Sequence, residues 1–264
     1  MFLMDPMQEL LAPSALTTVF QPIFDISQER PALVAVEALT RGPQGTHFES
    51  ASVLFEYIRL KHAEIIADRL CVAAAFRRAA EIPGLPLLSV NVHATTIERD
   101  SGFASFIEEI AEETGIDPRR VIVEIVEQSS YWNEERLRAT LSELRAIGVR
   151  IAVDDLGFGN GNYRLILDAR PDYLKIDRHF VDGCARDSYR RSLLKSILQL
   201  GLDCGAKVVA EGIERLDDLR AIRDVGITGG QGYLLGHPTA SPSFAKYDFA
   251  PCLEESELVA ERSY

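Results

Sequence analysis

The sequence predicts one α/β domain, an eight-stranded (β/α)8 barrel whose first strand runs antiparallel to the second. Three observations lead there. Short apolar runs of strand length alternate with amphipathic runs of helix length along most of the chain, the pattern of a parallel sheet covered by helices. Eight such apolar runs occur in 264 residues, near the usual length of a closed eight-unit barrel. Several of the runs stop on a carboxylate or an amide, and barrels of this kind build their sites at the C-terminal ends of their strands.

The elements follow in order. Thr17–Phe24 and Leu33–Leu39 read as the first two strands. About eight residues separate them, fewer than the dozen or so that a parallel crossover needs, so they pair antiparallel. Two helices fit between Ser50 and Ala80, with Ile66, Leu70 and Ala74 on one stripe, and Leu87–Val92 is the third strand. Phe103, Phe106, Ile107, Ile110 and Ala111 keep helical spacing until Gly115 stops them. Val121–Val126 is the fourth strand. Leu137, Leu141 and Leu144 then lie on a helix capped by Asn133 and stopped by Gly148. Val149–Val153 and Tyr173–Ile176 follow as strands. Leu194, Ile197 and Leu198 mark a helix closing near Gly201, and Lys207–Ala210 is the seventh strand. Leu216, Leu219 and Ile222 mark a helix ended by Gly226, and Gly230–Leu235 is the weakest strand. The barrel domain is placed at 17–250, between an N-terminal extension, 1–16, and an acidic C-terminal tail, 251–264.

Composition narrows the function. A net charge of −12 disfavours a nucleic-acid polymer as partner. A small anionic substrate stays possible, because bound cations can reverse the local field. Cys71, Cys184, Cys204 and Cys252 are widely spaced and form no CxxC, so they read as reduced thiols in a cytoplasmic protein. No Lys or Arg precedes Arg30, unlike the basic start of a signal peptide, and no apolar run reaches the ~18 residues of a membrane span.

The strand ends carry the chemistry. Val36 runs into Glu37, Val90 into Asn91, Val123 into Glu124, Val153 into Asp154 and Asp155, Leu174 into Lys175, and Ala210 into Glu211. Any one of these alone reads as a surface carboxylate or a strand-end cap. Their recurrence at the same end of successive strands describes a single oxygen-rich site, the ligand type that hard divalent cations prefer. His93 reads as packed against a loop, and the histidines show no zinc spacing. Gly157, Gly159 and Gly161 do not read as a dinucleotide loop, since two aspartates precede them and no strong helix start follows.

In order along the chain stand Gln21-Pro22-Ile23, Glu37-Ala38-Leu39 with Arg41, Asn91-Val92, Glu124-Ile125-Val126-Glu127, Asp154-Asp155-Leu156-Gly157, Lys175-Ile176-Asp177, Ala210-Glu211-Gly212-Ile213-Glu214 and Gln231-Gly232-Tyr233. From Thr17 to Ser241 this series resembles the EAL-domain cyclic-di-GMP phosphodiesterases. The resemblance implies a modified TIM-like barrel that hydrolyses cyclic di-GMP to linear pGpG with two Mg²⁺ or Mn²⁺ ions, Ca²⁺ being inhibitory. It implies Glu37, Asn91, Glu124, Asp154 and Asp155 as metal ligands, with Asp154 bridging. Lys175 would orient the attacking water, Glu211 would act as a water-side ligand or base, and Glu127 would tie down the loop after Asp155. Gln21, Leu39, Arg41, Glu214 and Gln231 would contact the ligand, Arg41 at a phosphate, with Asp177 nearby. A homodimer is implied as well. The chain departs from the family's DFG(T/A)G(Y/F)SSL after Asp155, with Phe158 in place of a small residue and Asn160 in place of an aromatic. That departure keeps open a second expectation, a catalytically weak or inactive cyclic-di-GMP receptor or protein-interaction module.

Overall fold

The computed structural model describes residue 10 and residues 15–126, 132–156 and 162–240. Eight strands close in sequence order into a barrel: β1 (Thr17–Asp25), β2 (Ala32–Arg41), β3 (Leu87–His93), β4 (Val121–Val126), β5 (Arg150–Leu156), β6 (Tyr173–Ile176), β7 (Lys207–Ala210) and β8 (Gly229–Gly230). β1 is antiparallel to both β2 and β8, and every other neighbouring pair is parallel. The short β1–β2 connection forces the reversal, and Asp25 helps turn it by accepting from the Ser27 amide at 2.9 Å.

Around the barrel lie α1 (Ala51–Leu60), α2 (Glu64–Ala80), α3 (Ala94–Arg99), α4 (Phe103–Thr114), α5 (Glu134–Ala146), α6 (Asn162–Ala169), α7 (Arg178–Val181), α8 (Ser188–Cys204) and α9 (Leu216–Val225). The expected caps recur. Asn133 accepts from the Arg136 amide at 3.0 Å, and Gly115 and Gly226 close α4 and α9 in left-handed conformation. α5 buries Leu137, Leu141 and Leu144 completely, each worth about 1.5–3 kcal/mol against exposure.

Side chains alternate between two faces along each strand. Val36, Val123, Ile151, Val153, Leu174 and Val208 face outward and join the helices in the main core. Ile23, Ala35, Ile122, Ala152 and Val209 form a separate small cluster inside the barrel. Two residues further along β2, β4, β5 and β7 come Glu37, Glu124, Asp154 and Glu211, and on the antiparallel β1 Gln21 stands two residues before Ile23, opposite Glu37, so the alternation that packs the interior also gathers the site.

Three expectations are corrected. The eighth strand is two residues long, because Gly232 ends it: a Cβ there would lie 2.2 Å from the Ile213 backbone, and only glycine permits that approach. α8 runs through Gly201 to Cys204 and closes at Gly205. Gly201 is a close-packing position instead, where a Cβ would lie 2.5 Å from the Val208 side chain. On α2 the buried face carries Ala67, Cys71 and Ala75 beside Val72, Phe76 and Ala79. Ile66 is 60% exposed, so the inward stripe lies one residue on from the expected one. Cys71 and Cys184 are buried free thiols and Cys204 is an exposed one. The proposed tail 251–264, most of the extension 1–16, and Cys252 lie outside the described residues.

Candidate active site

Lys175, at the end of β6, is the centre of the site. Its side chain is 2% exposed, and its Nζ lies 2.5 Å from Glu124 Oε2, 2.6 Å from Glu211 Oε1, 3.2 Å from Glu37 Oε2 and 3.7 Å from Asp154 Oδ1. Four strands, β2, β4, β5 and β7 with its following residue, thus deliver a carboxylate to one ammonium. Each carboxylate has further support. Glu37 accepts from Asn91 Nδ2 at 2.6 Å and from Gln231 Nε2 at 2.8 Å. Gln231 also donates to Gln21 Oε1 at 3.2 Å, and Gln21 donates to the Gly236 carbonyl at 3.2 Å. Glu124 accepts a short hydrogen bond from the Ser89 hydroxyl. Ser89 was not anticipated from sequence; its signal was its place two residues before Asn91 on the same face of β3.

Asp154, Asp155 and Glu211 bring carboxylate oxygens within 4.8 Å of one another, a grouping able to hold a cation. Asp155 adopts φ 51°, a left-handed conformation that Asp tolerates better than most residues and that turns the chain out of β5. Three buried oxygens at the site, Asn91 Oδ1, Asp154 Oδ1 and Gln231 Oε1, lack a hydrogen-bond partner. Orphaned acceptors in a buried site are costly unless something else satisfies them. Hard oxygens with spare lone pairs, carried by carboxylates, fit a divalent cation.

Electrostatics point the same way. Five carboxylates (Glu37, Glu124, Asp154, Asp155, Glu211) face one ammonium, leaving four negative charges if all are ionised. Burial pushes the Glu124 carboxyl up to about 8 against the pull of Lys175, and pushes Asp155 to about 6 with help from Asp154. Burial likewise raises Asp154 and Glu211. Burial would raise Glu37 too, but Lys175, Asn91 and Gln231 together hold it below the ordinary carboxylate range. Lys175 resists desolvation and stays well above its usual value because the carboxylates surround it.

A cavity of about 700 Å³ opens beside Glu37, Asn91 and Asp154 and extends between β2–β3 and α1–α2. Leu39, Arg41, Phe55 and Arg59 line it, with Asp68 and His93 deeper in. Arg41 Nη1 donates to the Thr40 carbonyl at 3.0 Å. His93 Nδ1 accepts from the Thr95 amide and so caps α3, in keeping with a packing role. The His93 amide and the Thr96 hydroxyl both donate to Asp68, at 2.9 and 2.5 Å, a buried network that sequence patterns did not reveal. Gln21 and Gln231 serve Glu37, as described. Glu214 pairs with Arg178 at 2.9 Å at the rim, and Asp177 caps α7 by accepting from the His179 amide at 2.7 Å. Glu127 and the Gly157–Gly161 loop lie outside the described residues.

Known proteins bear on this geometry. A family model described as EAL domain matches residues 5–238. Cyclic di-GMP phosphodiesterase TpdA of Vibrio parahaemolyticus is 32% identical over 146 residues, covering 55% of this chain and 25% of that protein. BlrP1 of Klebsiella pneumoniae, solved as a calcium/cy-diGMP complex, matches with a TM-score of 0.75 at 25% identity, over 87% of this chain and 60% of that one. A standalone EAL protein of Vibrio cholerae in its c-di-GMP-bound form matches with a TM-score of 0.77 over 88% of this chain and 98% of that one; at 23% identity it speaks to the fold alone. The chain spans between a quarter and a third of the length of the first curated relatives it matches. With the ordered strand-end residues gathered on one lysine and the family model matching nearly the whole sequence, the chain belongs to the EAL domain family.

Proposed function

We propose that the chain is a metal-dependent phosphodiesterase that hydrolyses cyclic di-GMP to linear pGpG. The observation that carries this reading is the convergence of Glu37, Glu124, Asp154 and Glu211 on the buried Lys175, with Asp155 and the unpartnered Asn91 Oδ1 beside them. The relatives named as cyclic di-GMP phosphodiesterases supply the substrate. Glu37, Asn91, Glu124, Asp154 and Asp155 would hold two Mg²⁺ or Mn²⁺ ions, whose charge would balance the four excess negative charges. Such ions, when bound, supply Lewis-acid neutralisation of the phosphodiester and lower the pKa of water.

The chain's own residues do the rest. Lys175 holds the carboxylates in register and presents a fixed cation to charge developing on the phosphoryl oxygens. Glu211, whose Oε1 lies 2.6 Å from Lys175 Nζ, would take a proton from the attacking water. Water adds across one P–O3′ bond, leaving a 5′-phosphate on one nucleotide and a protonated 3′-hydroxyl on the other. Arg41 grips a phosphate through its planar fork, and Leu39 packs beside it. Glu127 would steady the loop after Asp155. A homodimer and a cytoplasmic location complete the proposal; no helix among the described residues is long and apolar enough to cross a membrane.

The test is incubation of the purified chain with cyclic di-GMP and Mg²⁺, Mn²⁺ or Ca²⁺, with chromatography of the products. pGpG with Mg²⁺ or Mn²⁺, little with Ca²⁺, and a loss of orders of magnitude in Glu37→Ala are expected. The substituted loop, Phe158 and Asn160, favours a second reading as a non-catalytic receptor. Saturable binding of cyclic di-GMP without product under every metal would establish that alternative.

A further inference from the structure

One wall of the cavity that opens beside Glu37, Asn91 and Asp154 is built by α1 and the start of α2. Phe55 and Arg59 stand four residues apart on α1, so they share one face of the helix, and both line the cavity. Glu64, in the first turn of α2, lines it as well. Arg59 is exposed, and Phe55 and Glu64 are half-buried. Among the described residues neither charged side chain makes a hydrogen bond or an ion pair, and the Phe55 ring has no aromatic neighbour.

His93 adds a donor to the same cavity. Its Nδ1 accepts from the Thr95 amide at 3.1 Å, so the neutral ring carries its hydrogen on Nε2. That Nε2 is buried and has no hydrogen-bond partner among the described residues. Burial lowers the pKa of the imidazole most, Glu64 raises it and Arg59 lowers it, so both charges lie close to this one ring. A buried donor without an acceptor is costly, and the acceptor it lacks is to be sought in a ligand.

The wall therefore presents donors in want of an acceptor (Arg59 and His93 Nε2), a carboxylate in want of a donor (Glu64) and an aromatic ring (Phe55). Guanine answers all of them. Its O6 and N7 accept along one edge, its N1–H and N2 amine donate beside them, and its face stacks on an aromatic ring. Adenine carries an N6 donor where guanine carries O6, and it has no N2 amine. Resting on the reading of cyclic di-GMP as substrate, we propose that this wall holds one guanine of the ligand and selects it over adenine. Arg59 donates to N7 and O6, His93 Nε2 donates to O6, Glu64 accepts from N1–H and the N2 amine, and the base lies against Phe55. The cavity volume of about 700 Å³ falls within the roughly 300–1,000 Å³ of small-molecule pockets. Arg41, the proposed phosphate contact, lines the same cavity, so base and phosphate contacts stand together.

The test is calorimetric titration in Ca²⁺ with cyclic di-GMP, cyclic di-AMP and the inosine analogue cyclic di-IMP, which lacks the N2 amine. It is run on the unaltered chain and on Arg59→Gln, Glu64→Gln and Arg41→Ala. The unaltered chain should favour cyclic di-GMP over cyclic di-AMP by about 100-fold, about tenfold for each of two edge contacts. Arg59→Gln should weaken cyclic di-GMP by about tenfold without weakening cyclic di-AMP, because an amide matches the N6 and N7 edge of adenine. Glu64→Gln should weaken cyclic di-GMP by a similar factor and reduce its lead over cyclic di-IMP. Arg41→Ala, at a phosphate, should weaken all three alike and leave their ratios unchanged. Thermal melts show whether each variant folds, and Arg59→Met replaces Arg59→Gln where the latter does not. Saturable cyclic di-GMP binding whose guanine-to-adenine ratio is unchanged in folded Arg59→Gln or Glu64→Gln overturns the base assignment and leaves the substrate reading standing. So does equal affinity of the unaltered chain for cyclic di-GMP and cyclic di-AMP. If the unaltered chain binds no cyclic di-GMP, the substrate reading falls and this proposal with it.

Discussion

Replacing Lys175 by methionine isolates what the central cation does. The ammonium lies within 3.7 Å of four carboxylate oxygens and is 2% exposed, so water cannot take its place easily. Removing one partner from a buried charge cluster leaves uncompensated charge and costs about 3–5 kcal/mol. At about 2–4 °C per kcal/mol for a chain of this size, the melting temperature of the metal-free protein should fall by about 6–20 °C. The fold should survive, since domains typically hold about 5–15 kcal/mol in reserve. The assay is a thermal melt in EDTA at pH 7.5, wild type against Lys175→Met. A second arm adds Mn²⁺, which at about 100 times its dissociation constant stabilises by about 2.7 kcal/mol. On the proposed function, Mn²⁺ should recover more of the variant's melting temperature than it adds to the wild type's, because it replaces a missing positive charge. A variant that melts in EDTA within the error of the wild type would refute the claim that Lys175 holds the carboxylates together.

Ser89→Ala removes the hydroxyl from a buried Glu124 oxygen and should cost about 1–3 kcal/mol in urea unfolding, with a fall in turnover of cyclic di-GMP; an unchanged midpoint and rate would make Ser89 a bystander. Arg41→Ala should weaken cyclic di-GMP binding in Ca²⁺ by about 1.5–3 kcal/mol while leaving Mn²⁺ affinity unchanged, and equal calorimetric affinities would return Arg41 to a loop cation. Asp68, on α2, is raised to about 7 by burial, against the pull of its bonds from Thr96 and His93. The folded state therefore holds a proton that the unfolded chain has already released near pH 4. Stability contributed by that proton is present at low pH and is lost as pH rises towards 7, by about 2–3 kcal/mol between pH 5 and 8. Asp68→Asn, which keeps an acceptor for both bonds, should flatten that slope in urea unfolding; parallel profiles for the two proteins would sink the assignment.

The elements themselves were legible because their causes are local. Period-two apolar runs made the strands, and the eight-residue gap after Phe24 made β1 antiparallel. Asn133, Gly115 and Gly226 marked helix ends through their own capping chemistry. The strand-end acids were visible one by one, and their order along the chain pointed to one site. Where local reading failed, a neighbour distant in sequence had decided the outcome. Gly201 looked like a helix stop and is instead the place where α8 meets Val208, and the stripe on α2 is set by which face the barrel presents to it. Ser89 reads as an unremarkable strand residue until barrel closure puts Glu124 beside it. Gln231 reaches Glu37 across 194 residues of chain, and Lys175 collects carboxylates from positions 37 to 211. The sequence by itself determined the strand and helix periods, the direction of the first strand and the residue types at the strand ends, because backbone preference and side-chain alternation act over a few residues. Only the tertiary structure decided that those ends share one lysine and which buried oxygens are left without partners, because both depend on the closure that brings strands remote in sequence within hydrogen-bonding distance.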